Sequence, residues 1–322
     1  MHVIHLARMA TCAAALALLA GCAPKSYAVR HPAPSQSLVF GTPAPSTAIA
    51  FVDARPARDR AFSSGVLPAA LTVDGAALDP AGYLARNLQA ELVARGFPAQ
   101  VGAGGDALPR LELADFRIQN HRVNGFSPFV TLTFLSGDLV TPEGKQRLAV
   151  FVKRGKVPVW SFDEVIEPTF NQPLSLATKE LAAKIAAHLH GVRSSDADVD
   201  RLVSSIADRG DDSYLDVYAL GFTNNPKAID TVAKLARDPD EYVRLAAISS
   251  LGTLDAVGQL DLLTSIYREA TLWQDRAMAL KSIGDLDSAA ADAFLQAEHT
   301  ALEAKAGNRE VDWTLQVVRL YR

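Results

Sequence analysis

The chain is predicted to fold as an α+β domain, a mostly antiparallel sheet with two helices, followed by an all-α domain of helical repeats. Three observations predict this. Between residues 48 and 191 apolar residues alternate with period two in several short stretches and recur every three to four residues in two longer ones. Arg244 to Asp255 returns 32 residues later as Arg276 to Asp287, with six of the twelve positions identical. Ahead of both lie an apolar leader and a proline-rich stretch that set the folded part apart.

The leader, residues 1–21, has Arg8 as its only formal charge and an apolar run from Met9 to Ala20. That run is too short to span a bilayer and ends in small residues, as a secretory signal does. It closes on Leu19-Ala20-Gly21-Cys22. These four residues resemble the lipobox of bacterial lipoproteins, which implies cleavage before Cys22, a diacylglyceryl group on its thiol and a fatty-acyl chain such as palmitate on its amine. At about 0.8 kcal/mol per buried methylene, two or three chains anchor far better than one. Ala23 stands where lipoproteins kept in the inner membrane commonly carry Asp. The resemblance therefore implies the outer membrane, facing the periplasm.

Without Arg8 the 32 Lys+Arg fall to 31 against 36 Asp+Glu, a net charge of −5, so nothing suggests nucleic acid. Of two cysteines, Cys12 leaves with the leader and Cys22 is consumed by lipid. No disulfide is then available, and stability must come from packing. Residues 22–47 carry Pro24, Pro32, Pro34, Pro43 and Pro45 among small residues, the composition of an extended tether reaching roughly 70 Å, with an ordered arm along the first domain as the alternative for Ser37 to Phe40.

In the first domain, residues 48–191, Ala48 to Val52 read as a buried strand. A polar loop with Arg55, Arg58 and Arg60 follows, then a helix from Asp79 or Pro80 to Arg95 with Leu84, Leu88 and Leu92 on one face and Gly96 to stop it. Phe97 to Val101 and Leu111 to Ile118 are strands, the second with a parity switch near Ala114 and Asp115 that predicts a bulge. Val130, Leu132 and Phe134, then Leu148, Val150 and Val152, alternate on either side of the turn Pro142-Glu143-Gly144-Lys145, which reads as a hairpin. A strand around Val159 to Ile166 and a helix from Pro173 to His190 complete the order, which helices packed on one face of the sheet would satisfy. With the upstream lipobox and the Asp53-Ala54-Arg55 turn, this order resembles the YajG-type family of bacterial lipoproteins, which implies an envelope location without a defined activity.

Residues 192–322 read as paired helices. The Arg244 block and its copy share Arg, Ala, Ser, Gly, Leu and Asp, and each follows another amphipathic segment. Asp238-Pro239-Asp240-Glu241-Tyr242-Val243-Arg244 with Ala246, Ala247, Leu251 and Gly252 resembles the HEAT-repeat family in its short bacterial form, related to phycobilin-lyase repeats. That family commonly braces each repeat with an Asp six residues before the helix Arg; Asp238 and Arg244 keep the spacing, whereas Ala270 precedes Arg276. Gly252 and Gly284 are expected to end their helices. Tyr218 to Gly221 resemble a worn third copy, and Val311 to Leu320 a closing helix.

Catalytic patterns are missing from the sequence. The chain after the leader has five histidines, none placed with a second as a helical metal clamp, and no HExxH, GxSxG or phosphate-loop pattern. No cofactor and no metal is expected. Tyr242, Trp273 and Arg276 are residue types enriched at binding hot spots, although Trp273 could equally pack between repeats. Arg55, Arg58 and Arg60 suit an anionic partner such as a phosphate or carboxylate of the envelope, or a solvated loop paired with Asp53 and Asp59. The expected function is a non-enzymatic envelope lipoprotein: a membrane-anchored adaptor whose repeats bind another envelope protein. A lipid- or glycan-binding accessory of outer-membrane assembly or transport is the alternative, and a periplasmic enzyme the remaining one.

Overall fold

The computed structural model describes residues 26–322 apart from 37, 42, 43, 68, 159, 160, 162, 209 and 211. The expected signal, Cys22 and Ala23 lie outside the described residues.

The chain enters as β1 (Ser26–Ala28) and begins the main sheet with β2 (Thr47–Asp53). Three short strands, β3 (Ser63–Gly65), β4 (Ala70–Val73) and β5 (Ala76–Ala77), occupy the expected loop. Helix α1 (Pro80–Ala94) starts where the Asp79 carboxylate accepts from the Ala81 and Gly82 N–H groups, and stops before Gly96 at φ 82°. Leu84, Leu88 and Leu92 are fully buried beneath it. The chain returns as β6 (Ala99–Ala103), parallel to β2 because a helix crosses between them.

Next come β7 (Arg110–His121), β8 (Phe129–Thr141) and β9 (Gly144–Lys156), an antiparallel meander whose register shifts between Leu113 and Asp115, at the expected bulge. The sheet order is β6-β2-β7-β8-β9, with β3 beside β7. The sheet is thus antiparallel through its long strands and parallel where β6, β2 and β3 join. A second sheet holds β1, β4 and β5.

Two expectations are corrected. The strand expected around Val159 to Ile166 is helical from Asp163 onward: α2 (Asp163–Ile166) passes through a π turn (Glu167–Asn171) into α3 (Gln172–His190). Asp163 and Glu164 at its start suit the positive end of a helix dipole. The proline-rich segment is also more than a tether. From Ser26 onward it is strapped to the domain, with Tyr27, Val29, Leu38, Phe40 and Ala44 buried and β1 paired with β4. Prolines hold it extended while the apolar residues between them supply burial.

Among the described residues eight α-helices follow: α4 (Asp196–Ala207), α5 (Ser213–Phe222), α6 (Ile229–Leu235), α7 (Glu241–Thr253), α8 (Leu260–Glu269), α9 (Trp273–Asp285), α10 (Ala289–Glu303) and α11 (Arg309–Arg319). They stack in two rows, α5-α7-α9-α11 inside and α4-α6-α8-α10 outside. The structure is therefore an α+β domain followed by an all-α solenoid. The inner row lies on the sheet. On one face of the meander Arg117 lies over the Phe134 ring and donates to Gln316 of α11, while Thr131 on the opposite face donates to the Thr169 carbonyl of the π turn at 2.6 Å. Leu148 to Val152 of β9 are buried without a break, as in a strand covered on both faces.

Candidate interaction surfaces

The repeated residues do the stacking. Ser250 donates to the Val217 carbonyl at 2.9 Å, and its copy Ser282 to the Ile248 carbonyl at 2.6 Å, so each inner helix is tied to the one before it. Glycine faces each serine: a Cβ on Gly252 would stand 2.7 Å from the Ser282 Cα, and one on Gly221 would stand 3.0 Å from the Ser250 Cα. Gly252 and Gly284 thus serve close approach and do not end their helices, which is a correction; after α7 the turn comes at Asp255, at φ 48°. Asp255 then accepts from the Asp287 N–H at 2.9 Å.

The arginine brace is present in both copies. Arg244 donates to the Asp238 carbonyl at 2.7 Å and Arg276 to the Ala270 carbonyl at 2.9 Å. Because the acceptor is backbone, Ala270 suffices where an Asp was expected. Arg244 also pairs with Asp275 at 3.1 Å, crossing to the next inner helix.

Tyr242 faces the sheet. Its hydroxyl donates to the Gly155 carbonyl at 2.9 Å and accepts from the Gly155 N–H at 3.1 Å, and its ring lies 3.9 Å from the Arg154 guanidinium. Tyr214 covers the other side of Arg154 at 4.2 Å, and burial pushes the Tyr214 phenol up to about 12. Trp273 is buried against Trp313, with ring centroids 4.8 Å apart. Tyr242 and Trp273 therefore join the inner row to the sheet and to the closing helix, whereas Arg276 braces its own repeat.

The three loop arginines separate. Arg55 is buried and gives its guanidinium to Asp53 at 2.8 Å and to the Phe116 carbonyl at 3.1 Å. That hydrogen bond outweighs burial and holds the Asp53 carboxyl below its usual range. Arg60 donates to the Arg55 carbonyl at 3.2 Å, whereas Arg58 is exposed beside Asp59. They form no shared cationic face.

A cluster that the sequence reading missed joins the two regions. Glu180 and Lys184 of α3 meet Lys281 and Asp285 of α9, all buried: Lys184 reaches Glu180 and Asp285 at 2.8 Å each, and Lys281 reaches Asp285 at 2.8 Å and Glu180. Lys184 also donates to the Ala149 carbonyl at 2.5 Å, and Tyr321 lies 2.8 Å from Asp285. Burial alone would push the Lys281 ammonium down, but Asp285 and Glu180 hold it above the ordinary lysine range. Burial would likewise raise Asp285, yet Lys184 and Lys281 hold it low. A readable signal existed, because α3 is apolar around most of its circumference, which marks a helix buried on all sides.

Two kinds of surface remain open. The outer row is polar, with Arg237 pairing with Glu269 at 2.9 Å from α6 to α8, and Tyr267 meeting Glu298 at 2.6 Å from α8 to α10. Between the N-terminal arm, α3, α4 and α5 lies a cleft of ≈ 780 Å³ lined by charged and polar side chains such as Arg30, Lys179 and Asp216 and by apolar ones such as Leu176, Leu215 and Phe222. His31 there stacks on Tyr83 and sits between Asn87 and Asp74. Among the described residues no group of three or more His, Cys, Asp or Glu side chains is placed to hold a metal ion, and no helix is long and apolar enough to cross a membrane.

Residues 217–284 match HEAT repeats. The match covers α5 after its first turn through most of α9, so the helices that carry the serine and glycine ladder are the HEAT-like part of the chain. HEAT repeats are commonly protein-interaction scaffolds and generally a non-enzymatic type. No curated protein matches the chain.

Proposed function

We propose that this protein is a non-enzymatic lipoprotein of the bacterial outer membrane, acylated at Cys22 and facing the periplasm, that acts as an adaptor for another envelope protein. The YajG-like sheet domain is its base and the HEAT-like row its recognition element. The observation that carries this reading is the filled inner face. A solenoid usually receives partners along a continuous helical face, and here the sheet covers the inner one, which leaves the outer helices α6, α8 and α10. Their charges, among them Asp230, Lys234, Arg268 and Asp292, suit a polar partner surface.

Two experiments test it. Cys22→Ser should move the protein from the membrane to the soluble periplasmic fraction, and a variant that stays membrane-bound by itself would overturn the anchor. A photocrosslinker placed at Lys234 or Arg268 of the full lipidated chain should capture one defined protein in cells, with capture lost on charge reversal at neighbouring Arg237. Crosslinks to saccharide from Lys179, with none from the outer row, would favour the second reading, a glycan held in the cleft, whose mixed lining sets Arg30, Gln172 and Lys179 beside Leu176, Leu215 and Phe222.

A further inference from the structure

The residues that join β7 to β8, 122–128, form a loop that holds its own shape. The Asn124 side-chain oxygen accepts from the N–H groups of Phe126 at 2.9 Å and Ser127 at 3.0 Å. The Ser127 hydroxyl accepts from the N–H groups of Val123 and Asn124, both at 3.0 Å. Arg122 closes the base by donating to the Ser127 carbonyl at 3.1 Å and to the Gly125 carbonyl. This bracing points two apolar side chains outward: Phe126 is 93% exposed and Val123 72%, the two most exposed large apolar residues described. Local hydrogen bonds that spend their strength on presenting a phenyl ring to water imply that the ring is meant to leave water.

The position of the chain start supplies the occupant. Ser26 to Ala28 lie against Asp163, Ile166 and Asn171, and Phe170 of the same turn packs on Phe129, the residue that follows the loop. Ser26 and the loop therefore stand at the same end of the sheet, where β7 finishes and β8 begins. Cys22 precedes Ser26 by four residues, which span at most about 14 Å however they are arranged. Because the arm is strapped down from Ser26, an acylated Cys22 holds this end of the body close to the bilayer. Arg122 at the loop base and exposed Lys156 at the end of β9 add cations suited to headgroup phosphates.

We propose, resting on the reading of Cys22 as acylated, that Phe126 and Val123 insert into the interfacial zone of the membrane that carries the lipid anchor and fix the orientation of the repeats above it. Two side chains on a narrow loop offer far less than the roughly 1,000 Å² of a stable protein interface, but they match the shallow seat of an aromatic residue at a bilayer surface. The loop then provides a second membrane contact beside the acyl chains.

The test uses the full lipidated chain in vesicles of phosphatidylethanolamine and phosphatidylglycerol. Acylation leaves no other free thiol in the processed chain, so Phe126→Cys can carry an environment-sensitive fluorophore, and Val257→Cys, at the opposite end, serves as control. Expected are a blue shift and loss of emission on adding spin-labelled lipid at position 126, with neither at 257. A label at 126 that emits as in water, on protein that carries acyl mass and floats with the vesicles, overturns the loop proposal alone. Absence of acyl mass on the N-terminal peptide overturns the Cys22 reading and the proposal with it. Shielding at 126 in cells but not in vesicles would assign the loop to a protein partner and likewise overturn it.

Discussion

Where one repeat has Ser249, the next buries Lys281, whose ammonium lies 2.9 Å from the Ser249 hydroxyl. Two buried lysines and two buried carboxylates, Lys184, Lys281, Glu180 and Asp285, neutralise one another there. Removing one partner strands a charge, so Lys281→Met is expected to cost about 3–5 kcal/mol in chemical denaturation. The same cluster sets a pH window. Asp285 is held below its ordinary 3.8, so its stabilising contribution is complete above that value and is lost as pH falls through its lower folded pKa. Lys281 is held above 10.5, so its share is complete below that pH and is lost as pH rises through its higher folded pKa. Melting temperature should therefore hold level between about pH 5 and about pH 9 as far as this cluster is concerned and fall outside; a fall at neutral pH would refute it. Gly252→Ala offers a second residue-scale test. Alanine favours helix, but its methyl would meet Ser282, so a loss of about 1–3 kcal/mol is expected, against little change for Gly258→Ala, which has open space around its Cβ position.

Among the elements, the N-terminal arm departs most from the extended tether expected of it. Arg95 shows why for the arm: fully buried, it donates to the Leu38 carbonyl at 3.0 Å, lies 4.1 Å from the Phe40 ring and donates to the Phe222 carbonyl of α5. Burial draws its guanidinium down to about 10. One side chain thus clamps the arm, α1 and the repeats. Phe40→Ala should cost about 3–5 kcal/mol and open the arm to protease, whereas a free tether would lose nothing. In the meander the sequence pattern misled in one respect. Thr131 and Thr133 read as the solvent side of a half-buried strand, yet both are fully buried, one bonded to the π turn. Threonine fits a covered face when its hydroxyl finds a backbone acceptor, and that acceptor lies 38 residues away.

At the scale of the molecule, sheet and repeats share one continuous core that runs from Tyr27 to Leu320. The full chain should unfold in a single cooperative transition, with calorimetric and van't Hoff enthalpies in agreement. A chain stopped after Gly191 would bare Leu181, Glu180 and Lys184 of α3 and the outer face of the meander, and is expected to be insoluble or molten. Two separate melting transitions, or a stable fragment with native near-ultraviolet dichroism, would contradict the shared core.

The two long helices of the first domain, the bulge near Asp115, the hairpin at Pro142 and the repeat at 32 residues were all determined by the sequence alone. Each is a local pattern of apolar spacing, turn residues or self-similarity, and such patterns are written within a few turns of chain. What Tyr242, Trp273, Arg276 and Arg55 touch was decided only by the tertiary structure, as were the burial of Thr131, the strapping of the arm and the meeting of Glu180 with Lys281. Those contacts depend on which face of a helix meets which face of a sheet, and the partners lie far apart in sequence, 127 residues in the case of Arg95 and Phe222. Residue type marks a side chain as able to bind; only packing determines whether its partner lies inside the molecule or outside it.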